Sequence, residues 1–281
     1  AVVAAPEGLA VDAPVVVVHW LASDGGAVFP RTVVRAGAGS RLTVVEYLAS
    51  ADVAGYVDPV TDIDVAGGAS LDYLHLQELG SRVWQTGFQS VRVSGGASVR
   101  STAAAFGGDY ARLRIDCKLA GDDAQAGLYG CYFGDGHQTH DFRTLQDHWG
   151  PGTESHLLFK GAVRDEARGV YTGLIRVRKG AVGTAAAQAN RNLVLSDGAR
   201  ADSLPELMIE ENELRQCSHA SATGPVSPEH LFYLESRGVP TGVAERLIVL
   251  GFFDAVLDQV PVAPLRRRLR ATLTAKFLGS A

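Results

Sequence analysis

Gly39-Ser40-Arg41-Leu42, Gly68-Ala69-Ser70-Leu71 and Gly96-Ala97-Ser98-Val99 are three versions of one phrase: a glycine, a small residue, a polar residue and an aliphatic one. Asp123-Ala124-Gln125-Ala126 is a looser fourth. Their first residues stand at 39, 68, 96 and 123, so the spacings are 29, 28 and 27. Gly180-Ala181 follows 57 residues after position 123, about two more periods. A repeat of this length marks a supersecondary unit that stacks on copies of itself. Glycine lets the chain turn sharply, and each strand then hydrogen-bonds to its equivalent one turn later. The expected fold is mainly β: a right-handed parallel β-helix, or solenoid. One spacing does not fit, since Gly180 to Gly198 is only 18. Periodicity alone therefore leaves a β-sandwich open.

Working outward from the corners, the runs between them are short and rich in β-branched residues. They include Val15–Trp20, Thr32–Arg35, Leu42–Leu48, Asp62–Val65, Ser70–Leu76, Val91–Val93, Arg112–Leu119, Leu128–Phe133, His156–Lys160, Thr172–Arg178 and Leu193–Leu195. No amphipathic helix interrupts them, which argues against a βαβ fold with helical crossovers. The β domain is expected over residues 1–224 and a small C-terminal α-helical domain over 225–281.

In the second domain, Ser227-Pro228-Glu229 is a helix start, with Ser as N-cap, Pro at the first helical position and an acid in the first turn. That helix should end near Ser236, before Gly238 and Pro240. A second is expected over 243–259, with an apolar face of Ala244, Leu247, Ile248, Gly251, Phe252, Ala255 and Val256. A third, over 262–278, repeats Leu265, Leu269, Leu273 and Phe277. The expected role of these helices is to cap the open end of the solenoid against edge pairing.

The chain has 281 residues, 46% hydrophobic and 20% charged, which is globular composition. A net charge of −5 gives no basic field for nucleic acid. Val15 to Ala22 is too short to span a bilayer. The three cysteines, Cys117, Cys131 and Cys217, have no zinc-like spacing, and a reducing cytoplasm is the expected location. No secretory signal is visible, and the opening Ala1-Val2-Val3-Ala4-Ala5-Pro6 reads as the middle of a protein, with sequence missing upstream.

The most specific stretch begins Arg191-Asn192-Leu193-Val194-Leu195-Ser196-Asp197-Gly198 and includes Asp202-Ser203-Leu204-Pro205-Glu206-Leu207. It continues through Cys217-Ser218-His219 to Leu231-Phe232-Tyr233-Leu234-Glu235-Ser236-Arg237-Gly238. Upstream stand Gly134-Asp135-Gly136-His137, Gly161 and Arg168-Gly169-Val170-Tyr171-Thr172-Gly173. In this order the motifs resemble the SufB/SufD family of iron–sulfur cluster assembly proteins, over the whole chain. The resemblance favours the SufD branch. Ser196 stands where the SufB branch carries a cysteine, and the Cys-Ser-His triplet is typical of SufD. The family's N-terminal helical region is absent, and Ala220-Ser221-Ala222-Thr223-Gly224 departs from the commoner loop after the triplet.

The resemblance implies a non-catalytic scaffold subunit of a SufBCD-type complex, contributing to iron acquisition and cluster formation. It implies a SufB-like partner facing His219, with iron or a nascent cluster held transiently between the subunits and no stably bound cofactor. It also implies a SufC-like ATPase docked on the C-terminal helices; this chain has no G-x-x-x-x-G-K-[ST] phosphate loop of its own. Alone, the chain is a possible homodimer. A neutral imidazole is a competent iron ligand, so His219 is the first candidate. Cys217, two residues away, would share its face in a strand and is a weaker candidate, since free cysteines are commonly buried. Phe252, Phe253, Arg266 and Arg267 are candidates for partner contact. His137, His140, His148 and His156, with Asp135, Asp141 and Asp147 nearby, follow no metal-binding spacing and read as a polar surface.

Two other readings stay open. One is a β-helix polysaccharide lyase or hydrolase using Asp58, Asp62, Asp64 or Asp72. The other is a metal-free homodimeric interaction module.

Overall fold

The computed structural model describes residues 1–279. Successive strands alternate between two sheets. The first holds Val2–Ala5, Arg31–Ala36, Val60–Val65, Val83–Val93, Tyr110–Leu119, Thr139–His148, Arg168–Val177 and Arg200–Ile209, side by side in that order. The second holds Val15–Leu21, Arg41–Ser50, Ser70–Glu78, Ser98–Ala105, Gln125–Gly134, Glu154–Val163, Ala185–Val194 and Gln216–Gly224. Two short strands, Gly26–Val28 and Gly55–Val57, extend the first sheet. All pairings are parallel, so each turn of chain gives one strand to each sheet and about eight turns stack into a solenoid.

The sequence repeat is the strand register. Arg41 pairs with Ser70, Ser70 with Ser98, and Ser98 with Gln125. Later turns are longer: Glu154 pairs with Ala185 and Ala185 with Gln216. Gly39, Gly68 and Gly96 sit at φ of 63°, 67° and 64°, where a Cβ is strained. Asp123 takes the equivalent place at φ 55°. The 18-residue anomaly has a simple origin. Gly180 precedes a strand of the second sheet and Gly198 a strand of the first, so they are different corners of one turn.

Inward side chains alternate with outward ones, as in Tyr110–Leu119, where Ala111, Leu113, Ile115, Cys117 and Leu119 are buried. They form one continuous core between the sheets. The second sheet is also buried on its outer face. There Val45, Leu74, Leu76, Ala104, Phe106, Cys131, Phe133 and Ala162 pack under the helices. Such two-sided burial is typical of parallel strands.

The helices are α1 (Pro228–Glu235), α2 (Thr241–Leu257) and α3 (Ala263–Leu278). Ser227 Oγ caps α1 by accepting from the His230 N–H, and Gly279 at φ 71° ends α3. Their placement corrects the expected end cap: α2 and α3 lie along the flank, on the outer face of the second sheet. The apolar face of α2 is also corrected. Ala244, Val249, Leu250, Phe253, Val256 and Leu257 are buried, whereas Leu247 is half exposed. Polar ties fasten the same contact. Lys160 Nζ donates to the Phe252 carbonyl at 2.6 Å, and Arg164 to the Phe277 carbonyl at 2.7 Å. Arg268 reaches Glu78 and Tyr47. Lys276, only 4% exposed, donates to Asp135 (2.8 Å), Gln138 (2.9 Å) and the Phe106 carbonyl (2.7 Å).

Candidate functional site

The eighth turn, like the first, is an end of the solenoid. Arg200–Ile209 and Gln216–Gly224 each pair on one side only, with the preceding turn, and both are largely exposed. Their free edges form the open C-terminal end of the solenoid. Leu204, Leu207, Met208 and Ile209 stand exposed along one of them. An unpaired parallel edge with exposed aliphatic side chains is a template for another chain.

Cys217 and His219 lie on the other end strand. Cys217 pairs with Ala186, and His219 with Gln188. Ala186 and Gln188 are both buried inward residues, and Cys217 packs on the cluster of Ile175, Val177, Ala181 and Ala186. Both candidates therefore share the inward face, at the mouth of the solenoid. His219 is exposed there and Cys217 half-buried. Burial pushes the Cys217 thiol up, which keeps it protonated and makes it the poorer ligand at neutral pH.

Beneath the mouth the interior turns polar. Gln146, Ser155, His148, Gln188, Asn190 and Asn192 are buried in the last turns. Tyr132 OH donates to Asn192 Oδ1 at 2.8 Å, and Asn192 Nδ2 to Asn190 Oδ1 at 2.8 Å. Gly161 and Gly169 make room for Tyr132, since a Cβ at either would lie 2.1 Å or 2.5 Å from its ring or hydroxyl. This accounts for two of the glycines singled out in the sequence.

The other candidates are dispersed. Cys117 and Cys131 are fully buried, and burial pushes each thiol up to about 12, so both are core residues. His137 is exposed beside Glu166 (3.2 Å), and His156 lies on the outer face of the second sheet. His140 is fully buried beside Tyr132, its pKa held down to about 3 by desolvation and then by Lys276. His148 bridges Thr153 and Ser155 and is lowered to about 4 by burial. Among the described residues, no three His, Cys, Asp or Glu side chains gather as a metal site.

Phe253 is corrected as a partner-contact residue: it is wholly buried against the solenoid. Phe252 is half-buried under Lys160. Arg266 is tied to Asp258 and the Val260 carbonyl, and Arg267 is exposed beside a groove of α3 formed with Arg270, Ala271, Thr274, Ala275 and Leu278. Asp62 and Asp64 face outward on the first sheet and Asp72 outward on the second, and Asp72 is paired with Arg100. Asp62 and Asp64 thus share one outer face, and Asp72 lies on the other sheet.

A model of the SUF system FeS cluster assembly SufBD core domain matches residues 19–252. The chain belongs to this family. It is 35% identical over 242 residues to the SufBD family protein Rv1462 of Mycobacterium tuberculosis, covering 84% of this chain and 60% of that protein. SufD of Bacillus subtilis is 29% identical over 96% of this chain and 62% of its own length. SufD of Escherichia coli is 25% identical over 86% of this chain and 57% of its own. The chain thus spans about three fifths of the length of these curated relatives. The family is described by its role in iron–sulfur cluster assembly. The Gly134-Asp135-Gly136-His137 motif now has a physical role in this family member: Asp135 receives Lys276 and anchors α3. Among the described residues, no helix is long and apolar enough to cross a membrane.

Proposed function

We propose that this chain is a SufD-like scaffold subunit for de novo iron–sulfur cluster assembly, acting in a SufBCD-type complex. The observation that carries this is the position of His219: exposed, on the inward face of an end strand, at an edge no other strand of the chain pairs with. A SufB-like subunit meeting that end would leave the imidazole at the seam, beside Cys217. There His219 binds ferrous iron or a nascent cluster, which is cargo and not a resident cofactor. The chain supplies no catalysis itself; a SufC-like ATPase docks on the exposed surface of the helical domain, around Arg267 and α1. In the absence of those subunits, the same open end accommodates a second copy. The reading places the complex in the cytoplasm.

The test is co-purification with SufB-like and SufC-like subunits, then anaerobic reconstitution of wild type and His219→Ala. The expected result is an intact complex in both and a reduced cluster yield in the variant. Normal yield in His219→Ala removes this residue from the mechanism. Failure of the complete chain to join any such complex removes the scaffold reading.

A further inference from the structure

Directly beneath His219, one turn back and on the same inward face, lies Gln188. Adjacent strands are about 4.8 Å apart, so side chains in register on one face are in contact range. Gln188 is buried, 2% exposed. Its Nε2 donates to the Gly173 carbonyl at 3.3 Å, which fixes the amide orientation, since only the NH2 end satisfies a carbonyl. The space it occupies exists because residue 173 is glycine: a Cβ there would lie 2.4 Å from Gln188 Nε2. Gln188 Oε1 is then left buried with no donor among the described residues. A buried acceptor of this kind is rarely left unpaired, and the nearest in-register side chain toward the mouth is an imidazole. The other inward residues of the mouth, Cys217 and Ser221 on the same strand and Ser203, Pro205 and Leu207 opposite, carry no charge that would compete.

We propose that Gln188 is a positioning residue for His219: its orphaned carbonyl accepts the protonated ring nitrogen and leaves the other nitrogen bare, facing the mouth. This rests on the ligand role proposed for His219 only for its purpose, not for its existence. Metal-binding imidazoles are commonly held this way, and loss of such a partner weakens metal binding about 10–100-fold.

The test uses the complete chain with 15N-labelled histidine, at a pH where the ring is neutral; the ring nitrogen shifts report which nitrogen bears the proton. The His219 signals are assigned by their loss in His219→Ala. Wild type is expected to show one dominant tautomer. Gln188→Met, of similar size but with no carbonyl, is expected to give a mixture, and Gln188→Glu to restore one form. Cobalt(II), used as the probe ion, is expected to bind the Met variant about 10–100-fold more weakly, with recovery in the Glu variant. Wild-type ring shifts in Gln188→Met overturn the proposal. If the shifts respond but His219→Ala assembles clusters normally, the hydrogen bond stands and the ligand role falls. If the shifts do not respond while His219→Ala loses yield, only the hydrogen bond falls.

Discussion

His148 and His140 show what a buried imidazole does to the pH dependence of this protein. Both are held neutral in the folded chain, His148 down to about 4 and His140 to about 3. The unfolded chain takes up those protons near pH 6.5, so it binds more protons than the native state between there and the depressed values. Their contribution is complete above pH 6.5 and shrinks as the pH falls, by roughly 3 kcal/mol for His148. Glu46 acts in a separate window. Burial would raise its carboxyl, but hydrogen bonds from His19 and His75 outweigh that and hold it below the usual range. Its stabilisation is present above the ordinary carboxylate pKa and is lost only at lower pH. Urea midpoints between pH 7.5 and 5 should therefore fall, and His148→Gln should flatten the fall by about 1.4 kcal/mol per pH unit. An unchanged slope would contradict the buried neutral state. At this scale the sequence was only partly legible. Cys217 and His219 stand out through their spacing and motif, whereas Gln188 carries no local mark. Its importance comes from a register partner 31 residues away.

Among the elements, the helical domain departs most from its sequence reading. The starts and ends of α1 to α3 follow from Ser227, Pro228, Gly238, Pro240 and the apolar spacing of α3. The buried face of α2 did not, because Leu247-Ile248-Val249-Leu250 and Phe252-Phe253 make that helix apolar nearly all round. The flank position was signalled by the strands instead. Ala103-Ala104-Ala105-Phe106 and Cys131-Tyr132-Phe133 are unbroken apolar runs where a one-sided strand would alternate. The most heavily committed polar contact on that flank is Lys276 with Asp135. Asp135→Ala strands a buried ammonium, and removing one partner of a buried pair costs roughly 3–5 kcal/mol. The expected outcome is faster amide exchange in α3 with little change in the strands Tyr110–Leu119 and Gln125–Gly134. Equal acceleration in both would mean that helix and solenoid open as one unit.

For the whole molecule, the two ends are not equivalent. Buried polar side chains occur in earlier turns too, such as Glu46, His75 and Gln89, but those of the last turns lie at the open C-terminal end beside His219. Charge placed on that end tests its role without touching the core. Leu207→Glu combined with Met208→Lys alters two exposed positions, so thermal stability should stay within about 0.5 kcal/mol of wild type per site. Association with a SufB-like subunit, or with a second copy, should be lost on size-exclusion chromatography. Retained association would move the interface elsewhere. The 27- to 29-residue corner spacing made the solenoid legible from the first half of the chain. The second half resisted because its turns lengthen to 31 residues and aspartate replaces glycine at two corners, Asp123 and Asp165, while Gly152 and Gly183 keep the turn outside the small-polar-aliphatic phrase.

The flank contact also has a consequence for biosynthesis. Each strand finds its partner as soon as one further turn of chain has emerged from the ribosome, so the solenoid is able to assemble in order from its N-terminal end. Val45, Leu74, Leu76, Phe106 and Phe133, however, await α2 and α3, which are translated after every strand they cover. Until then the nascent chain carries a naked apolar strip across several completed turns. A message cut short before residue 228 would thus yield an ordered but sticky product, and holding that strip apart from its neighbours is a task for chaperones until those helices have emerged.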